Sequence, residues 1–379
     1  MTRVPSGLNR RAFLAAAPAV LVASRVGAQG AGLTLGMVVG TTGAFASGEA
    51  PLLNGVKMAV EDLNAKGGIA GKKVNLVIED TGSEQTGAIN AFNRMLSKDP
   101  VAIMNTTLSP FVLAMMGTIK DEGLPVFTGA ASAQLAPSKR GAANLFRIRT
   151  SDTKVPSGAA RFAAETLGAK KVALLRINNE YGNGWRTEVE EVCKQKGVQL
   201  VANESYEDAD RDLTAQLLRI KNAGPDVVIM AGNPPNFVVG VQQAKQLALP
   251  AKLILSNAGV LPTTIRLYQQ GAGEGVYGTV DSLPSGDPAS KEWAARYKAM
   301  FNLESDYSAA EYYDGVMMLA AAIAAKGTDK KALVAQLRTL AKAPGMGNTY
   351  TYANDGDGGE SVAIVQIKGS GVEFVTNIR

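Results

Sequence analysis

The chemistry open to this 379-residue sequence is bounded first by two shortages: it has no histidine and a single cysteine, Cys193. Without histidine there is no Ser-His-Asp or Cys-His nucleophile, no His-Glu-x-x-His zinc site and no imidazole-ligated metal. One cysteine can neither close an intramolecular disulfide nor build a Cys-x-x-Cys site. What remains are hydroxyls, amides and carboxylates at the ends of apolar runs. Ser109 precedes Pro110 where a helix is expected to begin. Such a position suits capping, and its free N–H groups also suit an anion such as a carboxylate. Ala130, Ala131 and Ser132 lie in a loop past an apolar strand, where backbone groups and a hydroxyl can reach a ligand. Tyr181, in Asn-Asn-Glu-Tyr-Gly-Asn-Gly-Trp, joins an apolar ring to a polar tip. Asn233, in Ala-Gly-Asn-Pro-Pro, offers an amide. Each also has a plainer reading, as a cap, a turn or surface packing.

Other matches carry less. The run Gly67-Gly68-Ile69-Ala70-Gly71-Lys72 is one residue short of a phosphate-binding loop, and Lys73 stands where Ser or Thr is required. Ser151-Asp152-Thr153-Lys154 fits Ser-x-x-Lys without its partner motifs. Asp355 and Asp357 lack the glutamate of a calcium loop and read as a turn. Lys72-Lys73 and Lys170-Lys171 read as solvated faces. No cofactor or metal is implied.

The formal charge is +5, from 39 Lys and Arg against 34 Asp and Glu, and the pI is near 9.1. Such a balance suggests a nucleic-acid partner until the charges are located. Residues 1–11 carry Arg3, Arg10 and Arg11 without an acid, followed by a weakly apolar run over 12–23. That run is too short to span a bilayer, which needs about 20 residues. It suits a signal peptide cleaved after Val26-Gly27-Ala28. Asn9-Arg10-Arg11-Ala12-Phe13-Leu14 resembles a twin-arginine export motif, preferred here over the general secretory route. Residues 1–28 hold four arginines and no acid, so the remainder carries 35 basic and 34 acidic residues, a net +1. The expectation is an exported, soluble, periplasmic protein without a lipid anchor and without a nucleic-acid partner.

The elements that must position these residues alternate. Strands are expected over 33–39, 74–78, 101–104 and 124–128, with helices over 51–66, 84–98 and 110–121. Pro51 is placed in the first turn of its helix. A second series follows: helices 156–167, 183–196, 211–223 and 236–247, strands 172–176, 198–201, 226–230 and 252–256. Helices 289–301, 308–326 and 329–341 come next, and a hairpin over 361–376 ends the chain. This is the pattern of two mainly parallel sheets covered by helices. Extended segments near 145–152 and 279–285 suggest a hinge between two lobes.

Specific blocks now carry a resemblance. They are Thr-Thr-Gly-Ala-Phe at 41–45, Asn-Gly-Val-Lys-Met-Ala-Val-Glu-Asp-Leu-Asn-Ala-Lys-Gly-Gly-Ile-Ala-Gly-Lys at 54–72 and Glu-Asp at 79–80. Asp-Glu-Gly-Leu-Pro-Val at 121–126, Tyr-Gly-Asn-Gly at 181–184, Asp-Leu-Thr-Ala-Gln-Leu at 212–217 and Pro-Asp-Val-Val at 225–228 follow in order. The chain resembles the periplasmic leucine/isoleucine/valine-binding family, the type I solute receptors of ABC importers. The resemblance covers 33–379.

It implies an α/β two-lobe type I fold with no catalytic activity. The expected division is 29–150 plus about 281–355 for one lobe and 151–280 plus about 356–379 for the other. It implies capture of a small carboxylate between closing lobes and delivery to an inner-membrane permease by a monomer. Ser109 would contact the ligand carboxylate, loop 130–132 would give a carbonyl and a hydroxyl, and Tyr181 would face the ligand. Asn233 stands about where a tyrosine is more usual. Ala258 stands where the family often has a glutamate that pairs the ligand's ammonium. Either another carboxylate such as Asp281 supplies that charge, or the ligand has no ammonium, because a buried unpaired ammonium is costly. An aromatic, benzoate-like acid is therefore the alternative, as is a second role presenting the ligand to a sensor.

Overall fold

Short strands buried on both faces, alternating with amphipathic helices, build two separate parallel sheets. The structure, a computed structural model, describes residues 32–151, 153–281, 288–354 and 356–378. The leader expected over 1–28 and the residue Asp355 lie outside the described residues. The chain from Ala31 onward forms one compact unit.

The first sheet holds β1 (Leu33–Val39), β2 (Val74–Asp80), β3 (Ala102–Asn105), β4 (Val126–Thr128) and β5 (Leu145–Arg147) in the order β2-β1-β3-β4-β5, all parallel. The helices of this half are α1 (Ala46–Ala65), α2 (Gln85–Leu96), α3 (Ser109–Ala114) and α4 (Met116–Glu122). Alternation along β1 explains the two cores. Leu35, Met37 and Val39 turn to one face, while Val38 turns to the other with Phe92 and Met95 of α2.

The second half begins with α5 (Val155–Arg161), which runs into a π-turn over 162–166. Its strands are β6 (Lys171–Ile177), β7 (Gln199–Tyr206), β8 (Val227–Ala231), β9 (Lys252–Leu255) and β10 (Tyr277–Val280). Between them run α6 (Glu180–Lys196), α7 (Thr214–Ala223), α8 (Pro234–Gln246) and the single turn α9 (Pro262–Ile265). Then α10 (Pro288–Phe301), α11 (Tyr307–Lys326) and α12 (Lys330–Leu337) follow; α11 and α12 join the first sheet's core through Val316, Leu319, Ile323, Leu333 and Leu337. A small antiparallel sheet of β11 (Ala343–Pro344), β12 (Thr349–Thr351) and β13 (Gly358–Gly359) sits beside them. The hairpin β14 (Ala363–Lys368) and β15 (Gly371–Asn377) returns to the second sheet, ordered β15-β14-β10-β9-β8-β6-β7. Only that hairpin is antiparallel there.

Four differences from the sequence expectation have physical causes. Helix α1 begins at Ala46, so Pro51 lies inside the second turn. The extra turn is held by Glu49, whose carboxylate accepts from the N–H of Gly40 and Thr107 and from the Thr106 hydroxyl. The expected helix 110–121 breaks at Met115 into α3 and α4. The segments near 145–152 and 279–285, expected as extended linkers, begin inside strands β5 and β10, because each strand finds a parallel neighbour. Helix α12 ends at Leu337, where Arg338 turns back to donate to the carbonyls of Ala143 and Leu145.

Helix α1 crosses α11 at close range, with Gly55 against Ala309. A mid-helix Gly→Ala change ordinarily stabilises by about 0.5–1 kcal/mol. Here a Cβ at Gly55 would stand 2.1 Å from the Ala309 carbonyl oxygen, and backbone cannot swing aside. Gly55→Ala is therefore expected to lower the unfolding free energy by about 1–3 kcal/mol in urea unfolding. A more stable variant would show that the two helices do not cross this closely.

Candidate functional site

The loops at the carboxyl ends of the strands face one another across the two sheets, as expected for open parallel sheets. Two cavities of about 570 and 530 Å³ lie there. They share Phe45, Thr107, Leu108, Arg149, Asn233 and Ala258, so they form one continuous cleft. One arm adds Ser109, Phe111, Ala131, Tyr181 and Asp208; the other adds Glu49, Leu52, Leu261, Tyr307, Glu311 and Tyr312.

Carboxylates and one phenol hold the first lobe's loops in place. Asp80, at the end of β2, accepts from the N–H of Thr41 (2.8 Å) and Gly82 and from the Thr42 hydroxyl (2.6 Å). Burial opposes its charge, but these hydrogen bonds outweigh it and bring its pKa down to about 2. This fixes loop 41–45 and so Phe45. Glu49, nearly inaccessible, ties Gly40 to Thr106 and Thr107; burial still pushes its carboxyl above the usual range. The Tyr312 hydroxyl donates to the Asn105 carbonyl and accepts from the Gly129 N–H (2.9 Å), joining the ends of β3 and β4 to α11.

The expected residues divide into two groups. Ser109, Ala131, Tyr181, Asn233 and Ala258 line the cleft. Ser109 is the first residue of α3, with Leu108 at the capping position, and makes no side-chain cap. Its Oγ accepts instead from the Ser132 N–H at 3.2 Å. Asn233 donates to Asp208 Oδ1 at 3.2 Å, and Tyr181 packs 6.2 Å from Trp185. Asp208 is pushed up by burial, an effect that the Asn233 amide and Arg211 oppose.

Ala130, Ser132 and Asp281 do not line the cleft. The guanidinium of Arg147 donates to the carbonyls of Ala130 and Ser132 (2.9 Å for the latter) and pairs with Asp357 at 3.1 Å. The Ser132 hydroxyl accepts from the Gln134 N–H, capping the next turn. The carbonyls expected for a ligand thus accept from Arg147 on β5, and the Ser132 hydroxyl accepts within its own turn. Asp281 is fully buried: it pairs with Arg149 at 3.1 Å and accepts from the Thr150 N–H (3.0 Å) and the Asn257 amide. Its charge is already matched, so it is not the spare counter-charge for a ligand.

Several lining residues escaped the sequence reading. Arg149 and Asp208 stand out by no local pattern. Glu49 and Glu311 have a signal in hindsight: each is a carboxylate among small or apolar residues on a helical face that packs inward. Among the described residues no cluster of three or more His, Cys, Asp or Glu could hold a metal ion. Cys193 is buried, its thiol pushed up to about 11 by burial, and lines neither arm. Lys72, Lys73, Lys170 and Lys171 are exposed.

With this geometry in view, the comparisons with known proteins agree. The profile of the periplasmic binding protein family matches residues 32–372. The Leu/Ile/Val-binding protein BraC3 of Rhizobium johnstonii is 27% identical over 86% of this chain and 89% of its own length. A leucine-, isoleucine-, valine-, threonine- and alanine-binding protein of Pseudomonas aeruginosa is 27% identical over 72% of this chain and 73% of its own. The crystal structure of a leucine-binding protein, LivK, from Thermotoga maritima superimposes with a TM-score of 0.84 at 25% identity, covering 91% of this chain and 98% of that one. The chain belongs to the periplasmic binding protein family and has its type I fold.

Because Asp281 neutralises a buried guanidinium, its loss is expected to act on folding. Asp281→Ala should cost about 3–5 kcal/mol of stability by leaving Arg149 buried without its partner, measured by chemical denaturation without added ligand. A variant as stable as the parent would mean that the pair is not closed in solution.

Proposed function

We propose, from this family membership and the cleft just described, that the protein captures a small carboxylate-bearing solute between its lobes. It would then present that solute to an ABC permease in the inner membrane. The aliphatic amino acids bound by its relatives are the first candidates. The observation that carries this reading is the composition of the cleft. Polar donors (the Ser109 hydroxyl and the Asn233 amide) stand beside apolar walls from Phe45, Leu52, Leu108, Phe111 and Leu261. A carboxylate leaving water needs such donors, and charge-assisted bonds are the strong ones. An aliphatic side chain needs only the apolar wall.

The closing bodies in this reading are residues 29–150 with 281–355 and 151–280 with 356–379. Tyr181, Asn233 and Ala258 come from the second body and meet Ser109 and Phe45 of the first. Few segments join the sheets, so a hinge can close the cleft around its ligand. Capture and release require neither a proton-transfer residue nor a cofactor. The periplasm, a monomeric state and export through the leader belong to the same reading. That the relatives named above bind aliphatic amino acids counts against a benzoate-like acid.

Saturating leucine, isoleucine or valine is expected to raise the melting temperature of the purified protein. A ligand at a hundred times its Kd stabilises by about 2.7 kcal/mol. Ser109→Ala should weaken the best ligand about tenfold, as for the loss of one hydrogen bond to a charged group. No shift with any aliphatic amino acid or small carboxylate would sink the reading.

A further inference from the structure

Two glycines of α1 are closed to a side chain, for different reasons. Gly55 meets the backbone of α11, within the half of the molecule built on the first sheet. Gly48 meets the other half. Helix α1 packs Leu52 and Val56 on the core of the first sheet, while α8 packs Phe237 and Val241 on the core of the second. The seam between the halves runs along the cleft. Helix α1 lies there against α9 and α3 against α6, and Gly48 and Pro234 both line the arm that holds Leu52 and Tyr307. A Cβ on Gly48 would stand 3.0 Å from Cγ and 3.7 Å from Cδ of Pro234, the first residue of α8. Beyond its own helix, and among the described residues, these are its only neighbours within 4 Å. The Cβ position therefore points at the opposite half and not into the cavity.

We propose that Gly48 sets how far the two halves close on a captured solute: its bare Cα lets the first turn of α1 seat against the proline that opens α8, and a side chain there would hold the cleft ajar. This rests on the capture between closing lobes proposed above and adds the residue that limits the closure. Gly48 is in this sense a positioning residue.

Nothing local asks for a glycine at this place. Its backbone is helical and lies outside the left-handed region. An alanine would fit α1 taken by itself, and alanine ordinarily favours a helix over glycine. The constraint comes from across the seam. Glu49 anchors this turn of α1 to the N–H groups of Gly40 and Thr107, so the turn cannot swing away from α8. The proline ring gives little, because its φ is fixed and Pro235 continues the helix behind it. Two carbons at 3.0 Å are well inside their best separation of about 3.5–4.0 Å. The halves must then part by a few tenths of an ångström. Ser109 belongs to the first half, and Asn233, next to Pro234, to the second. A solute held between them feels that gap directly, since a gap of about 0.5–1 Å forfeits a quarter to a half of a dispersion contact.

The test measures binding of L-leucine, L-isoleucine and L-valine by titration calorimetry, and the melting temperature without ligand, for the wild type, Gly48→Ala, Gly48→Leu and Gly48→Ala combined with Pro234→Ala. Gly48→Ala should weaken the best of these ligands about fivefold, and Gly48→Leu by more than about tenfold. The ligand-free melting temperatures should be no lower than that of the wild type, because open halves do not press residue 48 on Pro234. Small-angle scattering should show less contraction on ligand addition for Gly48→Leu than for the wild type. Pro234→Ala removes Cγ and Cδ and leaves Pro235 to start α8, so the combined variant should regain most of the affinity lost by Gly48→Ala. Unchanged affinity in Gly48→Leu, or a loss in Gly48→Ala that Pro234→Ala does not relieve, would overturn the role of Gly48 while leaving capture intact. So would ligand-free melting that falls in step with affinity, since the contact would then be ordinary packing. Failure of the wild type to bind any of the three amino acids would overturn their capture and the Gly48 assignment with it.

Discussion

The buried pair of Arg149 and Asp281 sits where the chain passes between its two sheets, and the cleft is organised around it. Arg149 follows β5 of the first sheet and Asp281 follows β10 of the second. A guanidinium taken out of water must be matched by an anion and by hydrogen bonds. Asp281 supplies the anion and gathers the Thr150 N–H and the Asn257 amide as well. One interaction therefore ties both crossing segments to the loop that carries Ala258. It also consumes the carboxylate whose freedom would have mattered most for a cationic ligand.

The same economy of buried charge positions the rest of the site. Glu49 and Asp80 each collect backbone N–H groups from loops that would otherwise have no partner, and so set Phe45, Thr106 and Thr107 against the cleft. Arg147 does the same for the carbonyls of Ala130 and Ser132. Loops at strand ends carry polar backbone groups that must be satisfied somewhere. Here side-chain charges satisfy them internally, which leaves the Ser109 hydroxyl and the Asn233 amide among the polar groups turned to the cleft. A binding protein gains from this arrangement, because a loop already ordered costs less when it closes on its ligand.

Much of the architecture was legible in the sequence. Apolar runs of strand length, alternating with helical periodicity, place nearly every strand of both sheets within a few residues. Ambiguity gathered where local pattern is weak. β5 (Leu-Phe-Arg) and β10 (Tyr-Gly-Thr-Val) lack the aliphatic run that marks β3 and β9, and they become strands through pairing. The first turn of α1 holds Gly48 and Glu49 instead of an apolar stripe, and only Glu49's distant partners make it helical. Five of the eight expected site residues line the cleft. The other three lie outside it because guanidinium groups draw them inward: Arg147 on the next strand takes the carbonyls of Ala130 and Ser132, and Arg149 takes Asp281.

What the sequence alone determined is the class of molecule. The absence of histidine removes histidine-based triads and zinc sites, the basic excess lies almost wholly in residues 1–28, and the family blocks run in order along the chain. These are properties of composition and local spacing, and folding does not alter them. What only the tertiary structure decided is the assignment of charge. In the sequence Asp281 stands as the candidate counter-charge, and Glu311 is one carboxylate among many. In the folded chain Asp281 is fully buried and paired with Arg149, while Glu311 lines the cavity and is hydrogen-bonded to Asn348 and Asp281. Which buried charge is matched depends on distances between segments some 30 to 160 residues apart, and no local pattern encodes those.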